Sequence, residues 1–156
     1  MNKKIKLVVM VICVSSLLCS CGEKLEIRDR AFVQSIGIES YDGGYSICLR
    51  IFEDEQPYKG KGATFNEAVD DAEKVQGKDF FTGHTEAVIV RDDQSANILG
   101  DLINNDISAG CLVIYDTDPV AFVDENDTEK ILDMISTAVR NKKIKKVNIC
   151  DVINQN

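Results

Sequence analysis

Residues 41–52, which read YDGGYSICLRIF, carry the pattern that decides the fold. From Tyr45 to Ile51 every second residue is apolar, and this period of two is typical of a strand with one buried face. The Asp42-Gly43-Gly44 step before it favours a tight turn, because glycine adopts positive φ without a steric penalty. Residues 31–38 form a second apolar run. The sequence therefore predicts a β-hairpin.

The segment that follows the hairpin contains a helix start. Thr64 and Glu67 have the capping-box spacing, in which side chains accept hydrogen bonds from free backbone N–H groups. Apolar residues follow at helical spacing and Gly77 is a stop signal, so we expect a helix over about residues 65–76. The preceding residues 53–62, with a proline and two glycines, are predicted to form a polar loop.

The rest of the chain alternates apolar runs with helical patterns. Residues 85–90 and 111–115 are typical of buried strands, and residues 92–95 offer capping groups for a helix between them. This order predicts a strand–helix–strand unit. A polar turn is expected after Pro119, and a last helix is expected to start at residues 126–129. Residues 147–153 are expected to form one more strand or a tail. The predicted fold class is α+β, a mixed and mainly antiparallel sheet packed by about three helices.

The amino terminus has the layout of an export signal. Three lysines precede an apolar run, residues 7–18, which is shorter than the ~20 residues of an easy membrane crossing. The run ends in Leu18-Cys19-Ser20-Cys21, which resembles the lipobox of bacterial lipoproteins. In that motif a small residue precedes a cysteine whose thiol takes up a diacylglyceryl group. We predict a signal peptide over residues 1–20, lipid attachment at Cys21 and a tether over residues 21–28.

Other interpretations of this segment are a plain secretory signal or an uncleaved anchor. Cys19 competes with Cys21 for the lipid, but Leu18 before it is too bulky for the small-residue position. Cys13 lies within the apolar run and is assigned to packing. Bacterial lipoproteins carry at least two acyl chains, which anchor a protein stably where one chain does not. The expected location is therefore the outer face of the cell membrane.

The net charge of residues 21–156 argues against binding to nucleic acid or to anionic lipid. Residues 1–20 hold three of the 18 Lys and Arg residues and none of the 26 Asp and Glu residues, so residues 21–156 carry a formal charge of −11. This charge disfavours nucleic-acid binding and repels anionic lipid headgroups. The remaining length fits one domain, predicted over residues 29–156.

Three cysteines follow the signal and anchor region: Cys48, Cys111 and Cys150. An odd number cannot make a complete disulfide framework. The favoured interpretation is free thiols, with Cys48 and Cys111 buried as small apolar residues, while one disulfide among the three stays open. With one histidine in the chain and no CxxC pair, we expect no metal and no cofactor.

His84 is the candidate for acid–base chemistry, because histidine titrates near neutral pH. It lies at the entry to a strand without a nucleophile and carboxylate at motif spacing, so a structural role is favoured over catalysis. The five basic residues within residues 140–146 are interpreted as cations following a helix end, with an acidic partner as the alternative.

Two acidic clusters also stand out: Glu53, Asp54 and Glu55, and Asp124, Glu125 and Asp127. Neither has the spacing of a calcium loop, and both are interpreted as solvated loops. Gly43-Gly44 and Gly60-x-Gly62 are interpreted as turn glycines, because neither completes a phosphate-binding loop.

The order of several motifs resembles the opening of the Ger(x)C spore germination lipoproteins, the C subunits of germinant receptors. After the lipobox come residues 26–33 (EIRDRAFV) and the step Ile36-Gly37-Ile38-Glu39. Residues 62–68 (GATFNEA), Phe81-Thr82-Gly83-His84 and residues 112–116 continue the match. The resemblance covers about residues 21–120.

Two features depart from the family pattern. Gly22 follows Cys21 where family members often have tryptophan, and the chain contains no tryptophan. Family members are also longer, with further domains, so the resemblance is to the amino-terminal domain only.

The resemblance implies a non-enzymatic, lipid-anchored subunit or regulator of a nutrient germinant receptor at the inner membrane of the spore. Its implied partners are an integral-membrane subunit and another receptor subunit. A lipid-anchored extracytoplasmic solute-binding module is the alternative, and an exported hydrolase using His84 ranks third.

Overall fold

The computed structural model describes residues 30–142 and 146–154. These residues contain six strands, namely β1 (Arg30–Tyr41), β2 (Gly44–Ile51), β3 (Pro57–Gly62), β4 (Asp79–Phe81), β5 (Ala87–Val90) and β6 (Leu112–Tyr115). They also contain five α-helices, namely α1 (Phe65–Gln76), α2 (Ser95–Asn104), α3 (Pro119–Glu125), α4 (Thr128–Arg140) and α5 (Ile149–Ile153). Two single-turn 3-10 helices span Thr82–His84 and Asp92–Gln94. The predicted α+β class is confirmed.

The predicted hairpin lies at the centre of the sheet. β1 and β2 pair antiparallel from Val33 opposite Ile51 to Tyr41 opposite Gly44. Gly43 in the turn has φ 107°, a conformation that other residues rarely adopt. The Asp-Gly step therefore closes the hairpin because its glycine adopts a positive φ, as the sequence predicted.

The sheet extends to both sides of this hairpin in the order β3-β2-β1-β5-β6, with β4 beside the start of β1. β2 and β3 pair antiparallel, whereas β1 is parallel to β4 and β5, and β5 is parallel to β6. The predicted strand–helix–strand unit is thus β5–α2–β6. The antiparallel ladders contain eight and six residue pairs against three or four in each parallel ladder, so the sheet is mainly antiparallel.

Helix α1 has the predicted bounds. The Thr64 side chain accepts a hydrogen bond from the Glu67 N–H, and the Glu67 carboxylate accepts one from the Ala63 N–H. Gly77 ends the helix with φ 75° and donates its N–H to the Glu73 carbonyl oxygen.

The prediction of a loop over residues 53–62 is wrong for its second half, which forms β3. Its glycines are not turn residues, because they lie in the strand beneath α1. A Cβ on Gly60 would lie 1.9 Å from the Ala68 carbonyl oxygen, and one on Gly62 would lie 2.5 Å from the Ala68 nitrogen. Glycine therefore allows the helix to approach the strand closely.

The number of helices was also underestimated. The expected turn after Pro119 is helix α3, capped by the Asp118 side chain, and proline fits a first helical position because its missing N–H would have no partner there. The segment expected to be a strand or a tail is α5, at whose start the Asp151 carboxylate accepts a hydrogen bond from the Asn148 N–H at 3.1 Å.

The two faces of the sheet are packed differently. The first face is covered by α1, α2 and α5, and its cluster contains 19 of the buried residues described. The second face is covered by α3 and α4, and its cluster contains five: Cys48, Ala87, Ile89, Val123 and Ile131. The main core therefore lies on the first face. On the second face, a Cβ on Gly37 would lie 2.1 Å from the Pro119 carbonyl oxygen, so this glycine admits α3.

Candidate interaction site

One end of the molecule lies next to the predicted tether. It is formed by the start of β1, the end of β2 and residues 52–56, and we call it the Phe52 end. Cys21 lies outside the described residues, so its lipidation stays a prediction. Because β1 begins at Arg30, residues 22–29 connect the predicted lipid site to this end over at most about 30 Å.

Phe52 is a large apolar residue exposed at this end, with 53% of its surface accessible. Its backbone N–H donates to the Phe32 carbonyl oxygen at 2.8 Å, which fixes the chain where β2 ends. The next residue, Glu53, has φ 60°, which turns the chain away from the sheet. Phe52 stands between two clefts and lines both.

An aromatic cluster lies beside it at the start of β1. The Phe32 and Phe81 rings meet edge to face at 5.7 Å, and the His84 ring lies 5.6 and 5.4 Å from them. The Arg30 guanidinium lies 5.9 Å from the centre of the Phe81 ring. His84 is exposed and contacts aromatic rings, which fits the structural role favoured from the sequence.

The structure places the first acidic cluster, residues 53–55, beside one member of the second, Asp127. A cleft of about 610 Å³, here called the acidic cleft, is lined by five acidic residues: Glu53, Asp54, Glu55, Asp127 and Glu129. Arg50 lines the same cleft. Asp127 reaches this place because it caps the start of α4, where its side chain accepts from the Lys130 N–H. Sequence reasoning treated the two acidic clusters as separate solvated loops, and it missed that Asp127 and Glu129 lie beside residues 53–55.

Arg50 holds the acidic cleft together from below. Its side chain is buried on β2 and donates to the carbonyl oxygens of Val123 at 2.9 Å, Asp124 at 2.6 Å and Glu55 at 2.6 Å. The carbonyls at the end of α3 carry the negative end of the helix dipole, so they suit a buried cation. Arg50 therefore joins α3 to the loop that carries the carboxylates.

The second cleft at the Phe52 end has a volume of about 440 Å³ and includes Arg30, Phe32, Asp54 and Lys78 in its lining. Hydrogen bonds from the Gln56 N–H and the Tyr58 hydroxyl lower the pKa of Asp54, so this carboxylate stays charged.

A different crevice, of about 520 Å³, lies at the opposite end of the sheet, where β5 and β6 finish. The connection after β5 leads to α2 on the first face, and the connection after β6 leads to α3 on the second face. Ligands of α/β proteins commonly bind at such a divergence of connections. Arg91 lines the crevice and pairs with Asp93 at 3.1 Å.

The three cysteines beyond the tether are free. Cys48 and Cys111 are buried, as predicted, and burial raises the pKa of each thiol to about 12. The structure places them on opposite faces of the sheet. Cys150 is exposed on α5. Two buried thiols therefore act as packing groups.

The predicted basic run is described only in part. Arg140 is the last residue of α4, as expected of a cation near a helix end, and residues 143–145 lie outside the described residues. In residues 30–142 and 146–154 no group of His, Cys, Asp and Glu side chains could hold a metal ion. Over the same residues, no helix has the length and apolar character needed to span a membrane.

The motifs of the first half of the chain have defined structural roles. Gly37 admits α3 to the sheet, Gly62 admits α1, and Gly83 leaves room for the Phe81 ring, which a Cβ would approach to 2.7 Å. A model of the spore germination protein N-terminal domain matches residues 23–105. The chain belongs to this family.

Membership in the spore germination family confirms the resemblance and supports a role in germination. This is a family of germination receptor subunits and not a known enzyme family. The match runs from the predicted tether through α2 and so includes the Phe52 end. Helices α3 and α4 follow the matched residues. Comparison with curated proteins and with solved structures gives no match.

Proposed function

We propose that this protein is a non-enzymatic, lipid-anchored subunit or regulator of a nutrient germinant receptor. Cys21 would hold it on the outer face of the inner spore membrane, beside an integral-membrane subunit and another receptor subunit. The observation that carries the proposal is the family match over residues 23–105, which begins two residues after the lipobox cysteine.

The surroundings of His84 support a non-enzymatic role. Its ring packs against two phenylalanines, and its 3-10 turn lies at the start of β5. The motif residues around it set the spacing of the aromatic rings, which is a structural task.

Two measurements test the proposal. Mass spectrometry of the mature protein from separated spore membranes should find a diacylated amino-terminal Cys21. Deletion of the gene should slow nutrient-triggered germination. A soluble, unlipidated product, or germination unchanged by the deletion, would count against a receptor role.

A lipid-anchored solute-binding module is the second candidate, because the crevice at the ends of β5 and β6 presents a cation and carboxylates together. It predicts saturable calorimetric binding of a small polar nutrient that is lost in Arg91→Ala. Flat titrations across amino acids and sugars would argue against it.

A further inference from the structure

At the Phe52 end one exposed aromatic side chain, Phe52, stands beside the half-buried rings of Phe32 and Phe81. Phe52 is 53% accessible although its neighbour Ile51 is only 5% accessible. Large exposed apolar groups rimmed by charge are typical of interaction surfaces, where an aromatic side chain fills a pocket on the partner. The clefts on either side leave Phe52 free to do so.

The carboxylates on one side of Phe52 select the kind of partner, whereas Arg30 and Lys78 line the cleft on its other side. In the described part of the chain, ion pairs join Lys59 to Asp124, Lys74 to Asp71 and Arg91 to Asp93, and none of them involves the five carboxylates of the acidic cleft. Arg50 lies beneath these carboxylates, but its three nitrogens already donate to backbone carbonyls. The cleft therefore offers a wall of negative charge to a partner with lysine or arginine.

The position of the Phe52 end places that partner near the membrane. Residues 22–29 join it to Cys21 and span at most about 30 Å, so the opposite end of the sheet is the one directed away from the anchor. The bilayer itself is a poor occupant, because the same carboxylates repel anionic headgroups.

We infer that the Phe52 end docks a basic segment of a membrane-embedded protein, with Phe52 in an apolar pocket of the partner and the partner's Lys or Arg side chains against the acidic cleft. The inference deepens the proposed function and rests on its lipid anchor.

Site-directed photo-crosslinking of the full chain in sporulating cells tests this inference. The photoreactive residue p-benzoylphenylalanine replaces Phe52, or replaces Tyr115 as the control, because Tyr115 is an aromatic residue that is 43% accessible at the opposite end of the sheet. We expect an adduct from position 52, mapped by mass spectrometry to a Lys- or Arg-bearing peptide of an integral-membrane protein. Its yield should exceed that from position 115 about tenfold and fall in high salt.

Charge reversal gives a second, independent readout. Glu53→Lys with Glu129→Lys should lower the yield of the adduct about fivefold or more, because both carboxylates line the acidic cleft. Asp70→Lys with Asp106→Lys reverses the same number of exposed charges elsewhere and should leave the yield unchanged. Urea unfolding of each double variant confirms that it folds.

Several results would overturn the inference. These are an adduct on lipid, an adduct on a second copy of the chain, a yield no higher than that from position 115, or no effect of the cleft reversal. If Cys21 is lipidated and membrane-bound but position 52 gives no such adduct, docking fails while the proposed function stands. If the protein is soluble and unlipidated, both fail.

Discussion

The two faces of the sheet are closed by different means. The first face packs α1 and α2 through apolar side chains, and both helices lie within residues 23–105 of the family match. The second face packs α3 and α4, which follow the match, and it uses polar contacts. Ser35 and Thr128 share a buried hydrogen bond of 2.9 Å, and Arg50 ties down the end of α3. Most of the main core thus lies within the family match, and the second face is held by a few polar contacts.

A matched pair of core truncations tests the difference between the two faces and should give the largest effect on stability. Ile98→Ala on the first face and Ile131→Ala on the second remove the same atoms from side chains that are each 1% accessible. We expect losses of about 4 and about 2 kcal/mol in the free energy of unfolding, because the partly exposed neighbours of Ile131 allow the second site to relax. Urea denaturation measures both. Equal losses would show that the faces contribute alike.

Glycine replacement probes how closely the helices approach the sheet. Gly60→Ala on the first face and Gly37→Ala on the second each place a Cβ about 2 Å from a helix carbonyl oxygen. Each should cost about 2–3 kcal/mol, since the helix must shift. Gly100→Ala is the control: it meets nothing within 4 Å in the middle of α2 and should stabilise the protein by up to about 1 kcal/mol. Destabilisation by Gly100→Ala as large as by Gly60→Ala would refute the packing explanation.

Replacement of Arg50 tests whether its hydrogen bonds stabilise the packing of α3 on the second face. Arg50→Met should cost about 2 kcal/mol, because it leaves the buried Val123 carbonyl and the part-buried carbonyls of Glu55 and Asp124 without a donor. Lys59→Ala removes an exposed ion pair to Asp124 at the same helix end and should change stability by less than about 1 kcal/mol. Thermal unfolding compares the two. If Arg50→Met melts at the temperature of the unchanged protein, the fastening role is wrong.

The buried thiols are expected to have the smallest effect on stability at neutral pH. Maleimide labelling at pH 8 followed by peptide mapping should modify Cys150 and spare Cys48 and Cys111, since burial raises their pKa to about 12. Above pH about 9 the unfolded chain loses these protons and the folded chain keeps them, so stability falls as pH rises from there towards 12. Rapid labelling of Cys111 in the folded protein would contradict its burial on the first face.

The sequence predicted the elements whose signals are local. The hairpin needed one Asp-Gly step between two alternating runs, and α1 needed a cap and a glycine stop within 14 residues. It failed for β3, because Gly60 and Gly62 look like turn residues until α1 is placed upon them. It also failed for α3, where the proline indicated a turn.

By itself, the sequence determined the hairpin, α1, the class of the fold and the family, and it supplied the prediction of an anchor at Cys21. Only the tertiary structure placed Glu53–Glu55 beside Asp127 and Glu129, with Phe52 exposed at their edge. The physical reason is distance along the chain. Caps, turns and periodicity act between neighbours, whereas Arg50 reaches Asp124 across 74 residues, and no local pattern encodes that contact.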